Sequence, residues 1–510
     1  MAAPAAAPVV TSTGLTADET DSTTTEIDIS NVENVKISVN DDKQLEVYVN
    51  NSQFKKTYTN AGITKVKIQA KDKISFNDQL DPTKNYVLNL AKAIVELLAK
   101  QVVLQPNTNV TLKIKELQIT AQDTGSTTAG DVFLNVVKKV YDSDCNYVGI
   151  KNMTAENDDD GDSQIVIKAT NAVTSNTDAK DAKDGTTADT SETGIWDTVD
   201  KKVSDLGSYI ASVKNIETII EIDASTLTAD TIDLESVNEL KMSTQGVGIG
   251  VAVNVASASS MVLVKNSDLT STKNGIKLLA KSVIESKANA QAKAGNVAVG
   301  VSVISGSTEA SITGSGTINS KKGLLVSAES NAQATTNAIG KAANDNRSGA
   351  FAGVSIVNYD TKANIGGTVS VQANEDVTVK SQQYGINGTT VKSTKKSDDD
   401  SSSGDKSSSI SSILDTVSQS IEQLELKSKL TDSVKTKVKD LFKRDEVEQR
   451  VDSSLESADD SEETSGIGDL FESAEAGIAN EIKLIFKGID NSDLNKVTVK
   501  ITPNEGTSGV

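Results

Sequence analysis

Three short runs of this sequence echo one another about every fifty residues, and that echo limits the fold more than any other feature. "GVAVNVAS" starts at Gly250, "GVSVISGS" at Gly300 and "GVSIVNYD" at Gly353, spacings of 50 and 53 residues. Between them a second element recurs, "NGIKLLAKS" around Gly275, "KGLLVSAES" around Gly323 and "EDVTVKSQQ" around Asp376, 48 and 53 residues apart. A third, rich in Ala, Asn and Gln, runs from Ser286 and again from Glu329. Such self-similarity is the mark of a stacked repeat. Within "GVGIGVAVNVAS" Val251, Val253 and Val255 alternate with Ala252 and Asn254, a period of two that selects strands over helices. A strand small and apolar on both faces gains little alone. In a solenoid its backbone pairs with the rungs above and below. Its lack of bulk then fits an insert lying over the outer face, the preferred reading, or an interior too narrow for large side chains.

The composition agrees with a thin core. Aromatic residues make up 3% of the 510, and there are 5 prolines. Layers of small β-branched side chains are therefore expected in place of large aromatic anchors. The net charge of −20 repels phosphate backbones and anionic lipid, which argues against nucleic-acid binding. Histidine is absent, which removes the commonest general base and every Ser-His or Cys-His arrangement. Cys145 is the single cysteine, so no intrachain disulfide forms, and its setting reads as a small buried residue before a nucleophile. No apolar run is long enough for a membrane helix. The N-terminus lacks the pattern of a secretory signal, and the chain is expected to be a fragment of something longer.

Along the chain, residues 1–25 read as disordered and 26–172 as a β-rich or α+β region with one helix at 81–101. The helix rests on Asp81 as cap, Pro82 in the first turn, and Leu90, Ile94, Leu97 and Leu98 at helical spacing. A polar linker follows at 173–194. A helical insert is expected at 195–214, from Trp196, Val199, Val203, Leu206, Ile210 and Val213. The β repeats occupy 215–385, a Ser/Asp-rich linker 386–409, a second helical insert 410–488, and a further strand region 489–510. The apolar stripes in 410–488 are too short for a coiled coil, so a helical hairpin packed on its own chain, within a monomeric rod, is favoured over an oligomer.

The succession "GVGIGVAVNV", "VKNSDLTS", "NGIKLLAKS" and "ANAQAKAGNVAVGVSVIS", over residues 220–383, resembles the repeats of large secreted bacterial exoproteins. These are the filamentous-haemagglutinin-like and leukotoxin-type autotransporter or two-partner-secreted adhesins. The resemblance implies a right-handed parallel β-helix, here carrying α-helical insertions. It also implies a non-catalytic, secreted or surface-displayed protein that meets a host cell-surface protein or glycan, at or near the bacterial outer membrane. The signal and translocation features those families carry are missing here.

One cluster could hold a metal. In "NDDDGDS" Gly161 takes the turn position of a calcium loop and sets Asp158, Asp160 and Asp162 on alternate positions, but the twelfth position is Ile167 where a bidentate Glu is required. A solvated acidic turn is the favoured reading, with no resident cofactor. A β-helical carbohydrate-active enzyme is the alternative from another class, disfavoured by the lack of His and of aromatic sugar platforms in the repeats. A purely structural fibre-forming protein is the third.

Overall fold

A computed structural model describes residues 9–12, 18–49, 54–123, 137–157, 162–178, 209–248, 250–292, 298–341, 351–394 and 498–500. All the regular structure among them is β, in one large, mainly parallel sheet. From Val137 onward the strands come in threes, long, short and long. The first unit is Val137–Lys151, Met153–Asn157 and Gln164–Asp178; the second is Tyr209–Asp223, Thr226–Ala229 and Thr231–Gly248. The third is Gly250–Lys265, Asp268–Ser271 and Ile276–Ala292; the fourth is Ala298–Thr313, Ser315–Ser320 and Leu324–Lys341. The fifth is Phe351–Ile365, Thr368–Ala373 and Val377–Thr394. Every strand pairs in parallel with its counterpart in the next unit, so the same position recurs rung upon rung.

The aliphatic core is a set of ladders running along that stack. Ile29, Ile68, Leu97, Ile119, Ile167, Leu234, Leu278 and Val326 are register partners from strand to strand, each at most 3% exposed. Each such side chain contributes about 1.5–3 kcal/mol by leaving water. The ladder ends at Val379 in the fifth unit, which is 45% exposed because no described strand follows it. Nine strands at about 4.8 Å make a stack of about 38 Å, whereas a strand of 15 residues spans about 50 Å.

The register also corrects the repeat. Gly300 pairs with Gly353, as the sequence echo has it, but its partner in the third unit is Ala252, and Gly250 pairs with Ala298. That step is 48 residues, matching the Gly275 to Gly323 spacing. The shift of two keeps the same face inward, so what aligns is the small inner residue, not the "GV" lettering. The reason is close approach: a Cβ on Gly300 would lie 2.5 Å from the Thr336 methyl, and one on Gly353 2.7 Å from that of Thr389. Here the long strands of each unit face each other across a narrow gap, and the inner residues of "GVAVNV"-type strands must be small.

Several expected elements differ. The helix at 81–101 is the strand pair Tyr86–Ala99 and Gln101–Leu104. Asp81 caps only a turn, accepting from the Thr83 amide at 3.0 Å and the Thr83 hydroxyl at 2.7 Å. Beyond it Leu88, Leu90, Ala93, Val95 and Leu97 are buried, the period-two set, with one irregularity between Leu90 and Ile94. Parallel neighbours on both sides of this strand override its helical propensity. Residues 209–214, expected to end a helix, begin the strand Tyr209–Asp223; Trp196, Val199, Val203 and Leu206 lie outside the described residues, as does 410–488. The linkers are shorter than expected, because 173–178 and 386–394 continue long strands. In the N-terminal segment Val9–Ser12 pairs with Glu26–Ile29, and Glu19–Asp21 with Lys56–Tyr58. Lys56–Tyr58 belongs to an antiparallel hairpin, Leu45–Val49 with Phe54–Tyr58, folded onto Val35–Val39.

Candidate functional site

The turn between the short and third strands of the first unit carries the acidic cluster. Asp158 and Asp160 lie outside the described residues. Asp162 is fully exposed, and its carboxylate meets Lys273 at 3.2 Å. Lys273 also reaches Asp230 at 2.9 Å. Asp230 is the better-built acid: it accepts from the Thr272 hydroxyl at 2.5 Å and the Ser163 amide at 3.0 Å, and its own amide donates to Ser163 Oγ at 2.9 Å. Burial would raise its pKa, but the bonds from Thr272, Lys273 and Ser163 outweigh that and hold it below the usual carboxylate value. Two carboxylates, one from the first unit and one from the second, therefore converge on an ammonium group from the third. Among the described residues no three acidic, His or Cys side chains gather closely enough to hold a metal ion.

Sequence reasoning missed a second feature, a polar zipper inside the stack. Asn146, Thr218, Ser260, Thr308 and Thr361 are register partners in the first strands, and Asn171, Asn238, Ser282, Ser330 and Gln383 in the third. They meet across the gap: Thr308 Oγ1 donates to Ser282 Oγ at 3.0 Å, Ser330 lies 2.6 Å from Thr361, and Ser260 Oγ donates at 2.8 Å to the carbonyl of Ser236, two residues before Asn238. A parallel pair, Ser302 to Ser286 at 2.6 Å and Ser355 to Thr336 at 2.9 Å, lies further toward the edge. Tyr359 closes the zipper, its hydroxyl donating to the Ala258 carbonyl at 3.0 Å and lying 3.1 Å from Thr308 Oγ1. Burial pushes its phenol up to about 12. The available signal was Ser, Thr and Asn at alternate positions of both long strands. These groups hold the facing strands in fixed register, buried through units two to four and reaching the surface at Gln383 in the fifth.

The outer surface offers ion-pair ladders and shallow relief. Lys151 with Asp223 (3.1 Å), Lys265 with Glu221 (2.8 Å) and Lys362 with Glu309 (3.2 Å) bridge successive units. Asn337 donates to Asn289 Oδ1 at 2.7 Å, an outward amide ladder in the Ala/Asn/Gln strands. An open depression of about 400 Å³ beside the N-terminal hairpin is lined by Asn40, Asp41, Lys43, Lys84, Asn85, Tyr86 and Val87, and the Lys84–Asp41 pair spans it. Cys145, half-buried, sits opposite Glu217 in a strand.

The connections between strands are the least uniform part of the molecule. From first to short strand the chain needs one or two residues: Asn152, 224–225, 266–267, Gly314 and 366–367. Asn152, Ala224, Asn266, Gly314 and Gly367 all take left-handed φ between 47° and 82°, one above another. From the third strand to the next unit the connection is 179–208, then 249 alone, then 293–297, then 342–350, and after Thr394 the chain is next described at Thr498. Within the five units every connection longer than six residues leaves from this one edge. Compared with family models, curated proteins and solved structures, the chain matches none.

Proposed function

We propose that this chain is a segment of a secreted or surface-displayed bacterial adhesin or virulence exoprotein. In this reading the three-strand units wind as a right-handed parallel β-helix, the hand that parallel crossovers take. Helical and loop inserts project from it to bind a host cell-surface protein or glycan, without catalysis. One observation carries the reading: the turns at two corners are short, while connections of one to thirty residues and more leave from the third. A scaffold that fixes its core and varies one edge places its variable loops side by side, as binding surfaces on rigid scaffolds do. Affinity would come from several modest contacts along that edge, and from repeated copies at a cell surface.

The test is binding of the fluorescently labelled chain to host cells, against a variant whose 179–208 connection is replaced by the five residues 293–297. At least a tenfold loss of binding with an unchanged strand signal is expected. Equal binding by the two proteins, or no binding by the full chain, would remove the edge from the account.

A further inference from the structure

On the first strands of units three to five, the outward face is apolar and yet buried. Ala252, Ala256 and Ala258 pack with residues of the third strands, so alternation sends Val253, Val255, Val301, Val303, Val354 and Ile356 to the opposite side. These six are between 1% and 7% exposed. They form two adjoining ladders, Val253–Val301–Val354 and Val255–Val303–Ile356. None of them belongs to an apolar cluster built by the described residues, and no described strand crosses that face.

The chain's path bears on which part of it fits that face. It leaves the fifth unit at Thr394 and is next described at Thr498–Lys500, paired antiparallel with Gly353–Ser355, the backbone on either side of Val354. Residues 395–497 are therefore tethered at both ends beside the patch. Their sequence carries two apolar stripes, Ile410, Leu414, Val417, Ile421 and Leu424, then Leu430, Val434, Val438 and Leu441. The competitor, 179–208, is tethered at Asp178 and Tyr209, in units one and two, and has a single stripe.

We propose that residues 410–441 of this chain pack their apolar stripes against the valine face. A helix from Ile410 to Leu424 would be about 21 Å long, at 1.5 Å per residue. Three strands span about 10 Å, so one such run crosses all three units. Parallel sheets are ordinarily covered in this way by helices. The inference rests on burial and chain path, and holds whether or not the chain is an adhesin.

Photo-crosslinking in the full chain tests it. A benzoylphenylalanine placed at Ser307, on the same outward face as Val301 and Val303, is expected to crosslink within one molecule to peptides from 410–441. The Leu414→Asp/Val417→Asp/Ile421→Asp variant is expected to lose those crosslinks. Crosslinks mapping to 179–208, crosslinks only between two copies, or no crosslinked peptide from 410–441 in the unsubstituted segment would each overturn the proposal, independently of how the triple variant folds.

Discussion

Gly306→Ala is the substitution that most sharply probes the stacking. Gly306 has φ +139°, and a Cβ there would sit 1.8 Å from the Ala258 carbonyl oxygen of the preceding unit and 3.0 Å from the Tyr359 ring of the following one. Carbon and oxygen ordinarily approach no closer than about 3.3 Å. The rung must therefore move or break. Forcing a side chain into this backbone region costs about 1–3 kcal/mol. Overpacking adds about 1–3 kcal/mol. A total loss of roughly 2–6 kcal/mol is expected, large against the stability of a domain. Gly385→Ala is the control, because its added carbon would meet nothing nearer than the Ala332 carbonyl at 3.8 Å. It should change stability by less than about 1 kcal/mol. Urea unfolding followed by far-ultraviolet circular dichroism, with hydrogen exchange to localise the damage, compares the two. Equal midpoints for both variants would refute the stacking of Ala258, Gly306 and Tyr359 on successive rungs.

Other outcomes follow from the same geometry. Ala224 holds a left-handed φ of 47° where its neighbours along the stack include Asn152 and Asn266, so Ala224→Asn should stabilise by about 0.5–1 kcal/mol in the same unfolding assay. Burial pushes Tyr147 and Tyr359 up to about 12, whereas unfolded tyrosines ionise near 10. The unfolded chain thus sheds protons first, stability should fall as pH rises from 10 to 12, and Tyr359→Phe should flatten that slope in pH-dependent melts. Asp230, whose pKa is depressed, contributes stability above the unfolded value near 4 and loses it as pH falls below that; Asp230→Asn should weaken this acid dependence. With Lys273 already on Asp162 and Asp230, millimolar calcium should leave the melting temperature unchanged; a rise of several degrees would restore the calcium loop.

What the sequence showed of this fold depended on how local the cause was. The "GVSVIS" and "GLLVSA" echoes were readable because stacking repeats the same environment at each rung, and the inward set of each strand repeats with it. Register is less readable: Ala252, packed with Ala288 and Ala290, and Gly300, beneath Thr336, serve one purpose, smallness against the facing strand, and share no letter. The strand Tyr86–Ala99 reads as a helix because Leu90, Ile94, Leu97 and Leu98 fall at helical spacing, whereas its two parallel neighbours bury the alternate set Ala93, Val95, Leu97 and Ala99. The acidic turn is legible, but Lys273 lies 111 residues from Asp162, and nothing local announces that a lysine two units on supplies the counter-charge. The zipper of Asn146, Thr218, Ser260 and Thr308 was visible only as polar residues in strands, since its meaning requires the facing strand.

A distance measured between spin labels on Thr170 and Gln382 tests the central claim most directly. These residues lie 212 positions apart in sequence but on one ladder, through Val237, Lys281 and Glu329, four rungs from end to end. Four rungs at about 4.8 Å place their backbones about 19 Å apart. In a Cys145→Ser background, cysteines at both positions and double electron–electron resonance should give one narrow distribution at about 20–30 Å, allowing for label length. A broad distribution, or one centred beyond about 40 Å, would contradict the in-register stack on which the rest of the account is built.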